Sequence, residues 1–311
     1  MEVLKYNKNL KLPDKKRYVA LGIFDGVHQG HQKLIKEMVK KARQNNGLSL
    51  VVTFEPHPDK IIPCANHKVF LLTLQNEKIK IIQNLGVDVL LIINFTKTFS
   101  KISPEDFVHK ILVNSLRVNE LFVGFNFKFG YHGDGDVNYL KEKGKENNFK
   151  TTIIDPVTFE DNIISSTKIK EFILKGDIPR AKKFLGYNLI FNGKVIHGRG
   201  RGKNILNIAT ANIKLPREKI IPANGVYIVL VNIKDKKYYG LMNIGIRPTF
   251  NEVKRTIEIH LLDFDQDIYH QDISFIIIKK IREEQYFNQI ELLKKQIEQD
   301  INYIRKIILK K

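Results

Sequence analysis

The chain has 311 residues, 43% of them hydrophobic, which is room for two domains with buried cores and argues against disorder. Cys64 is its one cysteine, which excludes an intrachain disulfide or multi-cysteine metal site and makes a cytoplasmic location the expectation. The formal charge of +19 asks for an anionic partner, but only 11 of the 52 basic residues are arginine.

No basic block or aromatic-interleaved stripe concentrates that charge. Solvated lysine-rich faces and a general field that draws in anionic substrates are therefore expected, and nucleic acid is not. The opening MEVLKYNKNLKLPDKKRY lacks the apolar segment of a signal peptide. Apolar runs such as VDVLLIINF fall far short of the roughly 18–20 residues that cross a bilayer, so no membrane partner is expected.

In chain order, RYVALGIF (17–24) reads as a strand and is followed by a helix from Gly30 to Asn45. Leu34, Ile35, Met38, Val39 and Ala42 recur there at helical spacing, and Asn46-Gly47 ends it. LSLVVTF is a buried strand, Thr73 to Leu85 a helix closed by Gly86, and VDVLLIINF a third strand. SPEDFVHKIL opens with Ser103 and Asp106 in capping spacing and Pro104 in the first turn. ELFVGFNF, a short helix VNYLKEKGKENN and FKTTIIDPV complete the pattern. Strands alternating with helices predict an α/β, doubly wound parallel sheet, with ligands at the carboxyl ends of its strands. His28, Glu55, Asn94 and Asn126 lie at such ends.

From Tyr187 onward, short strands punctuated by Gly and Pro predict an antiparallel β-barrel: NLIFNGKVIHG, NGVYIVLVNI, KKYYGLMNIG, RTIEIHLLDF and DISFIIIKKI. VYIVLVNI and YYGLMNI form an expected hairpin across Lys-Asp-Lys-Lys. A C-terminal amphipathic helix follows, with Ile290, Leu293, Ile297, Ile301 and Ile304 on one stripe. The boundary is placed at Gly186, giving domains 1–186 and 187–311, with SSTKIKEFILKGDIPRAKKFLGY as a helical connection.

The stretch GIFDGVHQGHQ (22–32) holds the densest chemistry. His28 and His31 are spaced to share a metal, but a zinc site needs a third ligand, and none is obvious nearby. A structural turn needs the glycines but neither histidine. In the third reading, Gly22, Gly26 and Gly30 let backbone N–H groups approach an anion at a helix N-terminus, and two imidazole donors contact phosphate oxygens. Strand–turn–helix with this composition reads best as a triphosphate cradle.

GIFDGVHQGH resembles the His-x-Gly-His signature of the nucleotidylyltransferase superfamily. With Phe24, Asp25 and Gly26 ahead of it, it resembles the adenylyltransferase module of the prokaryotic bifunctional riboflavin kinase/FAD synthetases. TFEPHP (53–58), VGFNFKFG (123–130) and ISSTKI (164–169) match in order. ATAN (209–212), NGVY (224–227), NIGIRPTF (243–250) and RTIEIHLLDFDQDIY (255–269) resemble the riboflavin kinase module.

The resemblance implies a nucleotidylyltransferase-like domain that makes FAD from FMN and a barrel that makes FMN from riboflavin. Mg²⁺, carried with the substrate ATP, is the implied metal, and flavins are substrate and product. His28 and His31 would hold ATP phosphates during adenylyl transfer, with Gly22, Phe24, Asp25, Gly26 and Gly30 also binding the nucleotide. Asn126 would face flavin or nucleotide. Ser165, Ser166, Thr167 and Lys170 would meet the nucleotide, the three hydroxyls also suiting a helix cap. In the barrel Glu258 matches the general base, Thr210 and Asn212 the pair at Mg-ATP, Gly198, Arg201 and Lys203 a phosphate-wrapping loop, and Arg282 a flavin contact.

Alternation along RTIEIHLL puts Thr256, Glu258 and His260 on one face and Ile257, Ile259 and Leu261 on the other. Two departures stand out. Asn207-Ile208-Ala209 replaces the usual Gly-Phe-Pro, and Lys170 stands where arginine is usual, without arginine's bidentate fork. Rival readings are adenylylation alone with a degenerate barrel, nucleotidylyl transfer to another phosphorylated acceptor, and nucleic-acid binding through the +19 charge.

Overall fold

The computed structural model describes every residue except 8, 63–68, 198–209, 235, 249–252 and 310–311. By packing, the chain divides into two compact units, Met1–Ser166 and Thr167–Lys311.

The first unit is built on six strands: β1 (Glu2–Lys5), β2 (Arg17–Leu21), β3 (Leu48–Glu55), β4 (Val89–Asn94), β5 (Val118–Gly124) and β6 (Lys150–Ile154). They form one parallel sheet in the order β1-β4-β3-β2-β5-β6. Five are the expected strands. β1, which pairs Val3 with Leu90, escaped the sequence reading because an exposed edge strand carries no apolar alternation.

Helices α1 (Gln29–Gln44), α2 (Gln75–Gln83), α3 (Pro104–Asp106) and α4 (Val137–Glu146) connect the strands. Beyond α3 the chain continues as a wider π-type turn over Phe107–Ser115. Successive strand residues point to opposite faces and enter separate cores. Val19, Leu21, Leu50, Val52 and Leu91 pack with Phe107, Ile111, Leu112 and Leu140. Ala20, Val51, Leu90 and Ile92 pack with Leu34, Ile35, Met38 and Ala42 of α1 and Ile82 of α2. The winding direction reverses at β2, with β3 on one side and β5 on the other, so the crevice of a doubly wound sheet opens where β2 ends. A small hairpin of β7 (Thr158–Phe159) and β8 (Asn162–Ile163) precedes the second unit.

Two helices come next, α5 (Ser166–Leu174) and α6 (Ile178–Leu185). The six strands β9 (Ile190–Ile196), β10 (Ala211–Lys214), β11 (Gly225–Ile233), β12 (Lys236–Pro248), β13 (Val253–Leu261) and β14 (Asp272–Arg282) then close into a barrel, in the order β10-β13-β12-β11-β14-β9. The expected hairpin is β11–β12, and the four-residue β10 is an additional strand. Ile173, Ile178, Ala181 and Leu185 line a small apolar cavity with Phe191 and Ile277 of the barrel. That packing groups α5 beyond Ser166, and all of α6, with the barrel, some residues upstream of the boundary placed at Gly186.

Tyr227, Val229, Met242, Ile244, Ile259 and Ile277 are buried and alternate along their strands with residues of the outer face. Val226, Ile228 and Leu241 of the outer face pack with Ile297, Ile301 and Ile304 of α7 (Ile290–Leu309), the expected amphipathic helix. Its apolar stripe engages the barrel only from its middle onward, because Ile290 is 46% exposed. Ile304 has no exposed surface, so Ile304→Ala should cost the barrel unit about 2–5 kcal/mol, read as a lower urea midpoint by circular dichroism.

Candidate active sites

The first site grows from the end of β2. The Gly22 N–H still donates to the Val52 carbonyl at 3.1 Å. The chain then enters a turn in which Phe24 (φ 54°), Gly26 (φ 79°) and Val27 (φ 35°) are all left-handed. Two of these are non-glycine residues, a costly conformation that persists only where surroundings over-determine it. Here the surroundings are the segment leading into α2. Asp25 Oδ1 accepts from the backbone N–H groups of Leu72 (2.9 Å) and Thr73 (3.2 Å), and the Gly26 N–H donates to Thr73 Oγ1 at 3.0 Å. Thr53 Oγ1 and Lys78 Nζ each donate to the Ile23 carbonyl at 2.9 Å. Ser166 Oγ donates to the Asp25 carbonyl at 2.8 Å.

The three glycines of the turn have different surroundings. Only Gly26 uses a left-handed backbone; a side chain on Gly22 would meet the Phe24 ring at 3.0 Å, and one on Gly30 the His28 ring at 3.2 Å. Those two make room for the side chains that shape the turn.

His28 caps α1, its Nδ1 accepting the His31 N–H at 3.4 Å. That bond assigns the ring proton to Nε2. The two imidazoles stack with centroids 3.7 Å apart and planes 19° from parallel, and Phe24 meets His31 edge-on at 5.1 Å. In-plane lone pairs of stacked rings run side by side and do not converge on one ion, and the described residues contain no group of three His, Cys, Asp or Glu placed to hold a metal. Burial brings the His28 pKa down to about 4 against a smaller opposing pull from Asp25. His31 lies well below the ordinary histidine value, through burial first and then through His28 and Lys78. His31 as a residue is half-buried, yet its Nδ1 is shut off from solvent. Both rings are therefore neutral N–H donors near pH 7.

Within the first unit, Glu55, His57, Asn94 and Asn126 lie at or just beyond the carboxyl ends of strands. Asn126 is exposed just beyond β5, in a turn closed by the Phe127 N–H on the Gly124 carbonyl at 3.1 Å. Glu55 and Asn94 face each other in register at the ends of β3 and β4. His57 is buried, and its Nδ1 accepts the Asp59 N–H at 3.2 Å, a capping role. Ser165 is half-buried just before α5, while Thr167 and Lys170 lie on its first turns. Sequence reading missed Thr53, Thr73 and Lys78. For Lys78 a signal existed: it stands four residues before buried Ile82, on the inward stripe of α2.

The second site is a row across three barrel strands. Asn212 of β10 pairs in register with Glu258 of β13, which pairs with Asn243 of β12. All three are half-buried, and Thr210 lies just ahead of β10. The alternation along β13 is the predicted one, with Ile257, Ile259 and Leu261 buried and Glu258 on the opposite face. Asn243 begins a motif recognised in sequence, but only register shows that it flanks Glu258. The Arg282 fork is engaged elsewhere: Nε and Nη2 reach Asp300 Oδ2 at 3.0 and 2.8 Å, and Nη1 the Glu283 carbonyl at 3.2 Å. Gln296 Nε2 completes Asp300 at 3.0 Å. Arg282 thereby ties β14 to α7. Gly198, Arg201, Lys203 and the departure at Asn207-Ile208-Ala209 lie outside the described residues.

A parallel sheet with paired neutral imidazoles at its switch point, followed by a barrel carrying a carboxylate between two amides, defines a two-module phosphate-transfer protein. The FAD synthetase family model matches residues 11–168, and the riboflavin kinase family model matches residues 185–308. A bifunctional riboflavin kinase/FMN adenylyltransferase of Buchnera aphidicola from Schizaphis graminum is 38% identical over 98% of both chains. The protein of that name from Bacillus subtilis is 36% identical over 94% of this chain and 92% of its own. A crystal structure from Streptococcus pneumoniae, described as a macrolide-efflux protein, superposes with TM-score 0.89 at 29% identity, covering 98% of this chain and 99% of that one. Among the described residues, no helix is long and apolar enough to cross a membrane. The chain belongs to the bifunctional riboflavin kinase/FMN adenylyltransferase family.

The burial of neutral His28 sets a pH dependence. Between pH 6.5 and about 4 the unfolded chain binds a proton that the folded chain refuses, so stability falls as pH falls through that window. The Met1–Ser166 unit should lose about 2–3 kcal/mol between pH 7 and 4.5, measured by urea unfolding, and His28→Asn should flatten that slope.

Proposed function

We infer that the chain makes FMN from riboflavin and ATP in its barrel, and FAD from FMN and a second ATP in its α/β module, releasing ADP and pyrophosphate respectively. We assign the two activities to residues 1–186 and 187–311, and the cytoplasm as their compartment. What carries the reading is the presence of two separate sites, each with the groups its own reaction needs. Both family models match, in the order adenylyl transfer then kinase, which favours two activities over adenylylation alone.

In the adenylylation module, a phosphate oxygen of FMN attacks the α-phosphorus of ATP and the bond to pyrophosphate breaks, with no enzyme-bound intermediate. The protein contributes position and electrostatics. The start of α1 and the imidazole N–H groups of His28 and His31 hold phosphate oxygens and meet the charge that builds on them. Neutral imidazoles suit this task, because they donate hydrogen bonds without releasing a proton to the leaving group. Asn126, Ser165, Thr167 and Lys170 are assigned to the nucleotide and flavin.

In the barrel, Glu258 accepts the proton of a riboflavin hydroxyl as that oxygen attacks the γ-phosphorus and ADP leaves. Asn212 and Asn243, one on each side in register, keep the carboxylate on the open face of the strand. Thr210 and Asn212 offer neutral, hard oxygen donors, a set that fits Mg²⁺ brought in on ATP better than a resident ion. When bound, that ion neutralises phosphate charge. Arg282 is assigned to the flavin, with its guanidinium anchored on Asp300 of α7.

The purified chain given riboflavin, ATP and Mg²⁺ should form both FMN and FAD, resolved by chromatography. Glu258→Gln should lower riboflavin phosphorylation about 10²–10⁴-fold and spare adenylylation of supplied FMN. His31→Ala should do the opposite, by about 10²–10³-fold. Equal damage to both steps by both variants would refute the two-site assignment.

A further inference from the structure

Lys78 is buried at 6% exposure, and its Nζ donates to the Ile23 carbonyl at 2.9 Å. Among the described residues, no carboxylate comes within ion-pair distance of that ammonium. Asp25 and Glu55 stabilise its charge from farther off, and Lys60 opposes it. A buried cation with a neutral acceptor and only distant carboxylates is poorly compensated for its desolvation, a cost retained where the charge itself has work to do. Its position shows what the work is. Ile23 is the last residue before the left-handed turn, and the segment leading into α2 holds that turn through the Asp25 and Thr73 bonds as well. The two imidazoles above are neutral, and the backbone donors carry only partial charge.

We propose that Lys78 is the fixed cation of the adenylylation site, a positioning residue that holds the turn through Ile23 and offsets phosphate charge from beneath it. The proposal rests on the adenylylation reading above. It makes the triphosphate the close counterion of a lysine that has none within ion-pair distance among the described residues. His31 already feels the charge, which helps to keep its ring unprotonated. Burial lowers the Lys78 pKa from the ordinary lysine value, with Asp25 and Glu55 resisting and Lys60 assisting, so the cation is lost at lower pH than an exposed lysine would lose it.

The test uses the full chain as wild type, Lys78→Arg, Lys78→Gln and Lys78→Met. Initial rates of FAD formation from FMN and ATP are followed from pH 6 to 10, with riboflavin phosphorylation on the same preparations as the internal control. Gln and Met should lower FAD formation about 30-fold or more, with riboflavin phosphorylation within about twofold of wild type. Arginine, which keeps its charge across the range, should restore most of the rate and remove the alkaline fall seen in the wild type. A glutamine variant as active as wild type overturns the proposal, and so does an arginine variant no better than the glutamine one. Should the methionine variant fail to fold, the arginine–glutamine pair decides. A wild type that cannot convert FMN at all refutes the functional reading instead.

Discussion

The carboxylate of Asp25 bonded to two backbone N–H groups 47 and 48 residues away is the constraint on which the first unit's chemistry depends. Without an external clamp, a turn with Phe24 and Val27 at positive φ would relax toward ordinary backbone. The clamp works because α2 is independently packed through Ile82 into the core beneath α1. The strain of the turn is thus borne by a sheet–helix sandwich that is stable for other reasons. In return, the turn delivers His28 to the cap of α1 and stacks His31 upon it.

Stacking and burial also decide what the histidines are. Two imidazoles in solution at neutral pH would be partly protonated; here burial keeps both neutral, and His28 and Lys78 add to the effect on His31. On the adenylylation reading, a site lined by neutral donors needs its full positive charge from elsewhere, which is the role proposed for Lys78. The overall +19 of the chain is a different matter. Exposed lysines act through a screened field that brings anions near, whereas a single buried ammonium acts at short range in a low dielectric.

The barrel solves a different problem with different means. It has no strained turn at its described site; it relies on hydrogen-bonded register to set Asn212, Glu258 and Asn243 side by side on the outer face. The inner face is filled by apolar side chains, and the row stands on the outer face, where α7 covers the neighbouring surface. The Arg282–Asp300–Gln296 cluster belongs to that covering. It puts a buried carboxylate on the apolar side of α7, which is tolerable because the guanidinium fork satisfies it.

Local pattern was enough to read β2 to β6, α1, α2, α4, the longer barrel strands and α7, because periodicity and turn chemistry act over a few residues. His28, His31 and Glu258 were picked out as candidates in the same way, because their motifs are contiguous. β1 and β10 were not legible, since a short strand at an edge or after a loop has no periodicity to show. Nor were the partnerships: Lys78 with Ile23, Asn243 with Glu258, and Arg282 with Asp300 are separated by 55, 15 and 18 residues in the chain. The amino-acid sequence by itself determined which chemical groups stand at the ends of the elements. Only the tertiary structure decided which of them are neutral, which are charged and which are already engaged, because burial and through-space pairing are properties of the assembled fold.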